Sequence, residues 1–309
     1  MSVLWALSEI RNPVFDAFFN IITFFGEEIL VFAMICLLFW CVDKPLTYKI
    51  ALAFFISGLL VQVLKVALRI ERPWIIDPNF LPVEGSIEAA TGYSFPSGHT
   101  QAAAAVYFTI AIYAKKTWIR IASASMALLV AFSRLYLGVH TPADVGGSLL
   151  LALLSCLAVY LFDKFTADTK ARDIIVSLLL CIISVLALLY SYSLYSNGTI
   201  ELRYVSDCAK AAGAGVGFGI VLLWERRFIR FDNKVKCESK KKLITYQIVK
   251  YAVGGLILVV LKTVPKMIYD GGFVYDALRY ALLVLWATGI YPIVIKKANL
   301  YVEKAQKCQ

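Results

Sequence analysis

The chain has 309 residues, of which 60% are hydrophobic and 17% are charged, and its mean hydropathy is +0.74. A soluble globular domain is closer to half apolar and a quarter charged, so this composition excludes an ordinary soluble protein and indicates a multi-pass protein of the lipid bilayer. The formal net charge is +10. In a membrane protein such a charge is typical of basic cytoplasmic loops rather than of nucleic-acid binding.

The first predicted helix begins at Asn12-Pro13, with asparagine as the N-cap and proline at the first helical position. Phe15, Phe19 and Ile22 follow at helical spacing. We expect residues 1–26 to form an amphipathic segment, which is either a helix in the membrane interface or the foot of the first span.

Nine apolar segments of roughly membrane-spanning length follow. Their bounds are about 27–42, 48–68, 98–114, 118–136, 142–162, 174–195, 208–224, 246–264 and 274–295. The predicted fold class is therefore all-α, a polytopic membrane helix bundle.

The loops between these helices alternate between two sides of the membrane. About two-thirds of the 31 basic residues fall in the loops and tail of one side. Those segments are 43–47, 115–120, 163–173, 225–245 and the tail from 296. The positive-inside rule makes that side cytoplasmic, and it places the ends of helices that carry polar motifs on the opposite, extracytoplasmic side.

Lys65 and Arg72 form the first of these motifs. On a helix that continues to Pro73 they would share one face, two turns apart, with Arg69 between them. Ionisable groups within a span are costly and are candidates for function, although basic residues at helix ends also extend to the lipid headgroups without a further role.

The second motif is Pro96-Ser97-Gly98-His99. Ser97 is placed to cap the following helix, whose free N–H groups and positive dipole end would attract an anion. Gly98 lets the backbone approach a phosphate oxygen, and His99 could reach a bound phosphoester. A turn with an incidental histidine is the alternative.

The third motif runs from Ser133 to Asp144 and contains Arg134 and His140. The sequence Thr141-Pro142-Ala143-Asp144 is typical of a helix start, so Asp144 would favour this N-terminus whatever its other role. It also follows His140 by four residues and could hold one ring nitrogen, leaving the other as a nucleophile or base. The guanidinium of Arg134 suits phosphate.

Together the three motifs resemble those of the type 2 phosphatidic acid phosphatase family, which shares a core with vanadium haloperoxidases and glucose-6-phosphatase. The resemblance implies a six-helix catalytic core over residues 27–195, with about three further transmembrane helices and a basic cytoplasmic loop and tail in 196–309. It also implies roles. His140 would attack phosphorus, Asp144 would orient its ring and His99 would protonate the leaving group. The phosphate ligands would be Lys65, Arg72, Ser97, Gly98 and Arg134.

The implied activity is a metal-independent, vanadate-sensitive phosphatase without a cofactor. It would act through a phosphohistidine on a lipid phosphomonoester or diphosphate, such as phosphatidate, phosphatidylglycerol phosphate or polyprenyl diphosphate, in a membrane of the bacterial plasma-membrane type. Three alternatives remain open: a lipid phosphotransferase, a glucose-6-phosphatase-like enzyme on a soluble ester, and a transporter or binding protein.

Three further features of the sequence have simpler interpretations. The glycines of Gly213 to Gly219 lack the strand that a dinucleotide-binding loop requires and indicate close helix packing. The seven cysteines are scattered, without a CxxC pair, and we expect buried thiols. The loop 74–95 would either cover the site and help to select the substrate or simply connect two helices.

Overall fold

The computed structural model describes residues 1–88, 90–235, 239–269 and 271–307, with side chains up to 302. The helices are α1 (Ser2–Glu9), α2 (Pro13–Phe24), α3 (Glu28–Leu37), α4 (Lys44–Leu68), α5 (Pro73–Ile76), α6 (Gly98–Tyr113), α7 (Thr117–Tyr136), α8 (Pro142–Phe165), α9 (Lys170–Ser196), α10 (Leu202–Trp224), α11 (Lys240–Ile268), α12 (Gly272–Leu285) and α13 (Tyr291–Lys307). Turns of π-helix extend three of them at Leu38–Val42, Glu225–Ile229 and Trp286–Ile290. The described residues contain no β-strand, which confirms the all-α prediction.

All nine predicted apolar segments are helical. Among the described residues, seven helical segments are long and apolar enough to cross a membrane. An eighth span forms if α2 and α3, which meet at a 50° bend, are counted as one. Helix α6 has 16 residues, fewer than the roughly 20 that a bilayer core requires. Nine spans were predicted, but among the described residues at most eight are long enough, because the central helix α6 is too short.

The N-terminal helix α2 begins as predicted, since the Asn12 side chain accepts hydrogen bonds from the backbone of Val14 and Phe15. It packs against α7 rather than continuing straight into α3. The hydroxyl of Tyr136 at the end of α7 donates to Asp16 over 2.7 Å. This hydrogen bond joins the N-terminal segment to the end of α7, the helix that carries Arg134.

Helix α6 lies at the centre of the bundle and contacts α4, α7 and α8. Its middle is the run Ala102–Ala105, in which every side chain is buried. Small side chains let neighbouring membrane helices approach closely, so this run accounts for the central position of α6. The first residues of α6 are consequently held among the ends of three other helices.

The glycines of α10 are packing residues, as predicted. A Cβ on Gly213 would lie 2.0 Å from the carbonyl oxygen of Ala277, and one on Gly217 would lie 2.8 Å from that of Ala281, both on α12. On the other side, a Cβ on Gly219 would lie 3.0 Å from the Ser177 carbonyl oxygen on α9. Glycines on two sides of α10 therefore allow this helix to pack closely against both α9 and α12.

The helices after residue 196 share a hydrophobic core with the earlier ones. Phe218 of α10 stacks on Phe55 of α4 with ring centroids 4.9 Å apart, and the indole of Trp40 donates to the Ala287 carbonyl over 2.7 Å. The boundary at 195/196 stays a prediction, and the two parts are packed together along their length.

The basic loops meet at one end of the bundle. The Lys44 ammonium contacts Glu225 over 2.7 Å, and Arg226 and Arg227 pair with Asp173. These contacts join three of the loops assigned to one side of the membrane, at the opposite ends of α4 and α8 from the motifs. Lys236 lies outside the described residues, as do the side chains of Lys304 and Lys307.

The five described cysteines are free thiols. Three are buried and two are half-buried, which agrees with the prediction for them. Cys237 and Cys308 lie outside the described residues.

Candidate active site

Lys65 and Arg72 do not lie on one continuous helix, and that expectation was wrong. Helix α4 ends at Leu68 because Arg69 adopts a left-handed conformation, with φ of 52°, and donates its N–H to the Lys65 carbonyl over 3.0 Å. Pro73 then begins the short helix α5 instead of ending the previous one. Arg69 is exposed, whereas the side chains of Lys65 and Arg72 are buried.

Arg72 is fixed by backbone carbonyls of two loops. Its guanidinium donates to Gly92 over 3.0 Å, to Thr91 over 2.5 Å and to Val139 over 3.0 Å. The same group lies 2.9 Å from Nε2 of His140. The loop 74–95 therefore does more than connect two helices, since it positions a cation against the histidine.

His140 and Asp144 lie side by side, with 3.6 Å between Nδ1 and the carboxylate Oδ2. That oxygen accepts hydrogen bonds from the Ser94 hydroxyl over 2.6 Å and from the Thr141 N–H over 2.7 Å. The second bond completes a capping box at the start of α8, as predicted. One carboxylate thus caps the helix and also faces the histidine.

The imidazole of His140 is only 2% exposed. Burial, followed by the charges of Arg72, Arg134 and Lys65, lowers the pKa of His140 well below its usual range, while a hydrogen bond with the Ser94 backbone acts in the opposite direction. The lowered pKa of His140 favours the neutral ring, which keeps a lone pair on one nitrogen.

The start of α6 brings the second motif to the same place. The Ser97 hydroxyl accepts the Thr100 N–H over 3.4 Å, which confirms the predicted cap, and the Ser97 N–H donates to the Asp144 carbonyl over 3.3 Å. A Cβ on Gly98 would meet nothing within 4 Å, so the space above this turn is open. His99 is half-buried and close enough to His140 for their charges to interact.

Arg134 is buried in the last turn of α7, with 1% of its surface exposed. One Nη donates to the Thr23 hydroxyl of α2 over 2.8 Å. Its Nε and its other Nη have no hydrogen-bond partner among the described residues. A buried guanidinium with two free donors is suited to a bidentate oxyanion such as phosphate.

Most of the chain matches models of known protein families. The PAP2 superfamily matches residues 46–168, and the PAP2 superfamily phosphatase transmembrane extension matches residues 209–306. An undecaprenyl-diphosphatase of Bacillus subtilis is 30% identical over 160 residues, covering 50% of this chain and 77% of that protein. The chain belongs to the PAP2 superfamily. This confirms the resemblance stated from the motifs, and with its apolar helices it makes the chain an integral multi-pass membrane protein.

Other PAP2 relatives match different lengths of the chain. Human sphingosine-1-phosphate phosphatase 2 is 26% identical over 269 residues, covering 82% of this chain and 65% of the human protein. The phosphatidylglycerophosphatase B of Bacillus subtilis is 36% identical over 107 residues, covering 31% of this chain and 51% of that enzyme. The chain therefore spans less than about two-thirds of the length of these two relatives. A crystal structure of a PAP2-type phosphatidylglycerolphosphate phosphatase from Bacillus subtilis is 30% identical, with a TM-score of 0.46, and covers 54% of this chain and 86% of that one.

Sequence reasoning missed three side chains at the PAP2 site. These are Ser94, which holds Asp144, Thr23, which holds Arg134, and Asp207 of α10, whose charge acts on Lys65. Ser94 comes two residues before the proline of the second motif, but a serine in a loop gives no distinguishing signal. Thr23 and Asp207 come from helices far away in sequence.

Proposed function

We propose that this PAP2 protein is a phosphatase that removes the terminal phosphate from a phosphorylated lipid, with His140 as the nucleophile. The observation that carries the proposal is the arrangement around His140. A buried, neutral imidazole lies 2.9 Å from Arg72, close to Lys65 and to the two free donors of Arg134. Cations aimed at one point are the main means by which proteins stabilise phosphoryl transfer.

In the first step the lone pair of His140 Nε2 attacks phosphorus. A phosphorus–nitrogen bond forms and the bond from phosphorus to the leaving oxygen breaks. His99, which takes up a proton when the anionic substrate binds beside it, gives that proton to the leaving oxygen. Lys65, Arg72 and Arg134 hold the three remaining phosphoryl oxygens, together with Ser97 and the Gly98 N–H. Asp144 and the Ser94 backbone hold the other side of the ring, which stabilises the charge that develops on it.

In the second step His99, now neutral, takes a proton from water. The resulting hydroxide attacks phosphorus, the phosphorus–nitrogen bond breaks and its electron pair returns to His140. Inorganic phosphate leaves and both histidines regain their starting protonation. The scheme requires no metal or cofactor.

The assignment to a lipid rests on the membrane setting and on the relatives. The names of the relatives specify sphingosine 1-phosphate, phosphatidylglycerophosphate and undecaprenyl diphosphate, all of which are phosphorylated lipids. The site lies at the ends of membrane helices, where a headgroup would present its phosphate.

Purified protein should release inorganic phosphate from phosphatidate, phosphatidylglycerophosphate or farnesyl diphosphate in detergent micelles. Vanadate, which imitates the transition state, should inhibit this release, and a chelator should leave it unchanged. Phosphate release and labelled lipid product are measured together, so that transfer to an acceptor other than water is also detected. Activity that is lost with the chelator and restored by Mg²⁺ would contradict the proposal, as would release from a soluble sugar phosphate alone.

We further propose that the site is extracytoplasmic. The support is the excess of basic residues in the loops at the opposite end of the bundle. In intact cells a membrane-impermeant maleimide should label Glu84→Cys, in the exposed loop near the site, and should label Lys241→Cys only after permeabilisation. The unsubstituted chain is the control for its own cysteines. The reverse labelling pattern would overturn this orientation.

A further inference from the structure

A cavity with many polar side chains lies directly beside the candidate active site. It has a volume of about 500 Å³ and is bounded on one side by Arg72 and the loop residues Thr91 and Gly92. Its other walls come from α10, α12 and the end of α11. The lining residues that fall within the transmembrane extension are Lys210, Lys266, Asp276 and Arg279. The proposed reaction uses none of the extension's side chains.

The lining of this cavity is strongly cationic. Among the described residues it contains five basic and two acidic side chains, an excess of three positive charges. The basic residues are Arg72, Arg203, Lys210, Lys266 and Arg279, and the acidic ones are Asp207 and Asp276. Such a concave surface attracts an anion.

Arg279 provides a buried hydrogen-bond donor in this wall. Its side chain is 6% exposed, and one Nη donates to Asp276 over 2.6 Å. Its Nε has no hydrogen-bond partner among the described residues. A buried guanidinium N–H without a partner is costly. Arg279 is one of the residues that line the cavity, so an oxyanion bound there could pair with this guanidinium.

The cavity adjoins the catalytic cations at Arg72 and Gly92, which are among the residues that line it. Gly92 has a φ of +70°, and a Cβ there would lie 3.6 Å from Lys65 Nζ and 3.7 Å from Asp207 Oδ2. Asp207 in turn pairs with Lys210 over 2.8 Å. Arg72 lines the cavity and contacts His140, so a ligand could reach from one group of cations to the other.

We propose that this cavity is a second anion subsite, which binds a phosphate that remains on the leaving group. This inference rests on the proposed phosphatase function and narrows its substrate class. The reacting phosphate would lie on Lys65, Arg72 and Arg134, and the second phosphate on Arg279 and Lys210. Lipid diphosphates and lipids with a phosphodiester beside the terminal phosphate both have this chemistry, whereas simple phosphomonoesters do not.

The test measures binding rather than turnover, with non-hydrolysable methylene phosphonate analogues and wild-type protein in detergent. One pair compares the analogues of farnesyl diphosphate and farnesyl phosphate, and the other compares dioctanoyl analogues of phosphatidylglycerophosphate and phosphatidate. In at least one pair, the ligand with two phosphate groups should bind about tenfold more tightly or better. The pair that shows this advantage identifies the source of the second phosphate.

Arg279→Gln and Lys210→Gln should each remove most of that advantage. Lys210 is partly exposed, so its variant tests the subsite even if Arg279→Gln fails to fold. Arg226→Gln, an arginine of the same extension that pairs with aspartates away from the cavity, should keep the advantage. Equal binding within both pairs, or an advantage that survives in a folded Lys210→Gln protein, would overturn the subsite. A binding advantage without phosphate release from any substrate would instead overturn the phosphatase proposal and leave the subsite standing.

Discussion

Replacing His140 with asparagine is expected to lower kcat by roughly 10⁴-fold or more, because the group that bonds to phosphorus is lost. Asparagine is close in size to histidine and can still hydrogen-bond to its neighbours, so the fold should survive. The measurement is single-turnover phosphate release with a ³²P-labelled lipid, combined with trapping of the alkali-stable phosphoprotein. The wild-type protein should show labelled protein, and the variant should show none.

His99→Asn is the matched control, because it removes the other histidine. With a lipid substrate the loss of the general acid should slow phosphorylation. With p-nitrophenyl phosphate, whose leaving group needs no proton, His99→Asn should still form labelled phosphoprotein. Labelled protein in His140→Asn, or turnover within about tenfold of wild type, would remove His140 from the nucleophile role.

The helices could be predicted because the signals for them are local. Asn12, Ser97 and Thr141 each precede an apolar segment and each caps a helix in the structure. The small residues of α10 predicted close packing for the same reason, although nothing in the sequence named α9 and α12 as partners. The end of the second predicted helix near residue 68 agrees with α4, but the left-handed turn at Arg69, which separates Arg72 from the helix of Lys65, was missed. That conformation is uncommon for a residue other than glycine.

The site could be predicted only in part, since motifs identify residues but not their partners. The sequence predicted Lys65, Arg72, Arg134 and His140 as site residues because each is an ionisable residue beside an apolar segment. Arg72 contacts three loop carbonyls because residues 91, 92 and 139 fold against its guanidinium. The hydrophobic periodicity of the sequence does not predict such loop conformations. The same is true of Ser94 and Thr23, whose hydroxyls are distinguished only by the side chains that they meet in three dimensions.

The structure also changes the interpretation of the two ends of the chain. The N-terminal segment was expected either to lie in the interface or to begin a span, yet Thr23 of α2 holds Arg134 directly. Residues 196–309 were expected to form additional transmembrane helices with a basic cytoplasmic loop and tail. Helix α10 of this region also brings Asp207 towards Lys65 and forms a wall of the adjacent cavity. Both segments therefore contribute side chains next to the candidate active site.

The second large effect is expected at Arg134. Replacing it with lysine keeps the positive charge but removes the planar fork that the two free donors present to phosphate. Removal of one well-placed donor to a developing charge typically costs about 10²–10³-fold in rate, and we expect a loss of kcat/KM in that range. The inhibition constant of vanadate should rise in parallel, because vanadate makes the same contacts as the transition state.

Thr23→Val separates direct binding from positioning. It removes the hydroxyl that accepts from one Nη of Arg134 and leaves the two free donors in place. If those donors bind phosphate, this variant should lose about tenfold or less in kcat/KM, well short of the loss in Arg134→Lys. If instead Arg134 serves mainly to join α7 to α2, both variants should lose similar activity and both should unfold at a lower temperature. Equal losses would therefore assign Arg134 to the fold, and a wide gap at unchanged thermal stability would assign it to the phosphate.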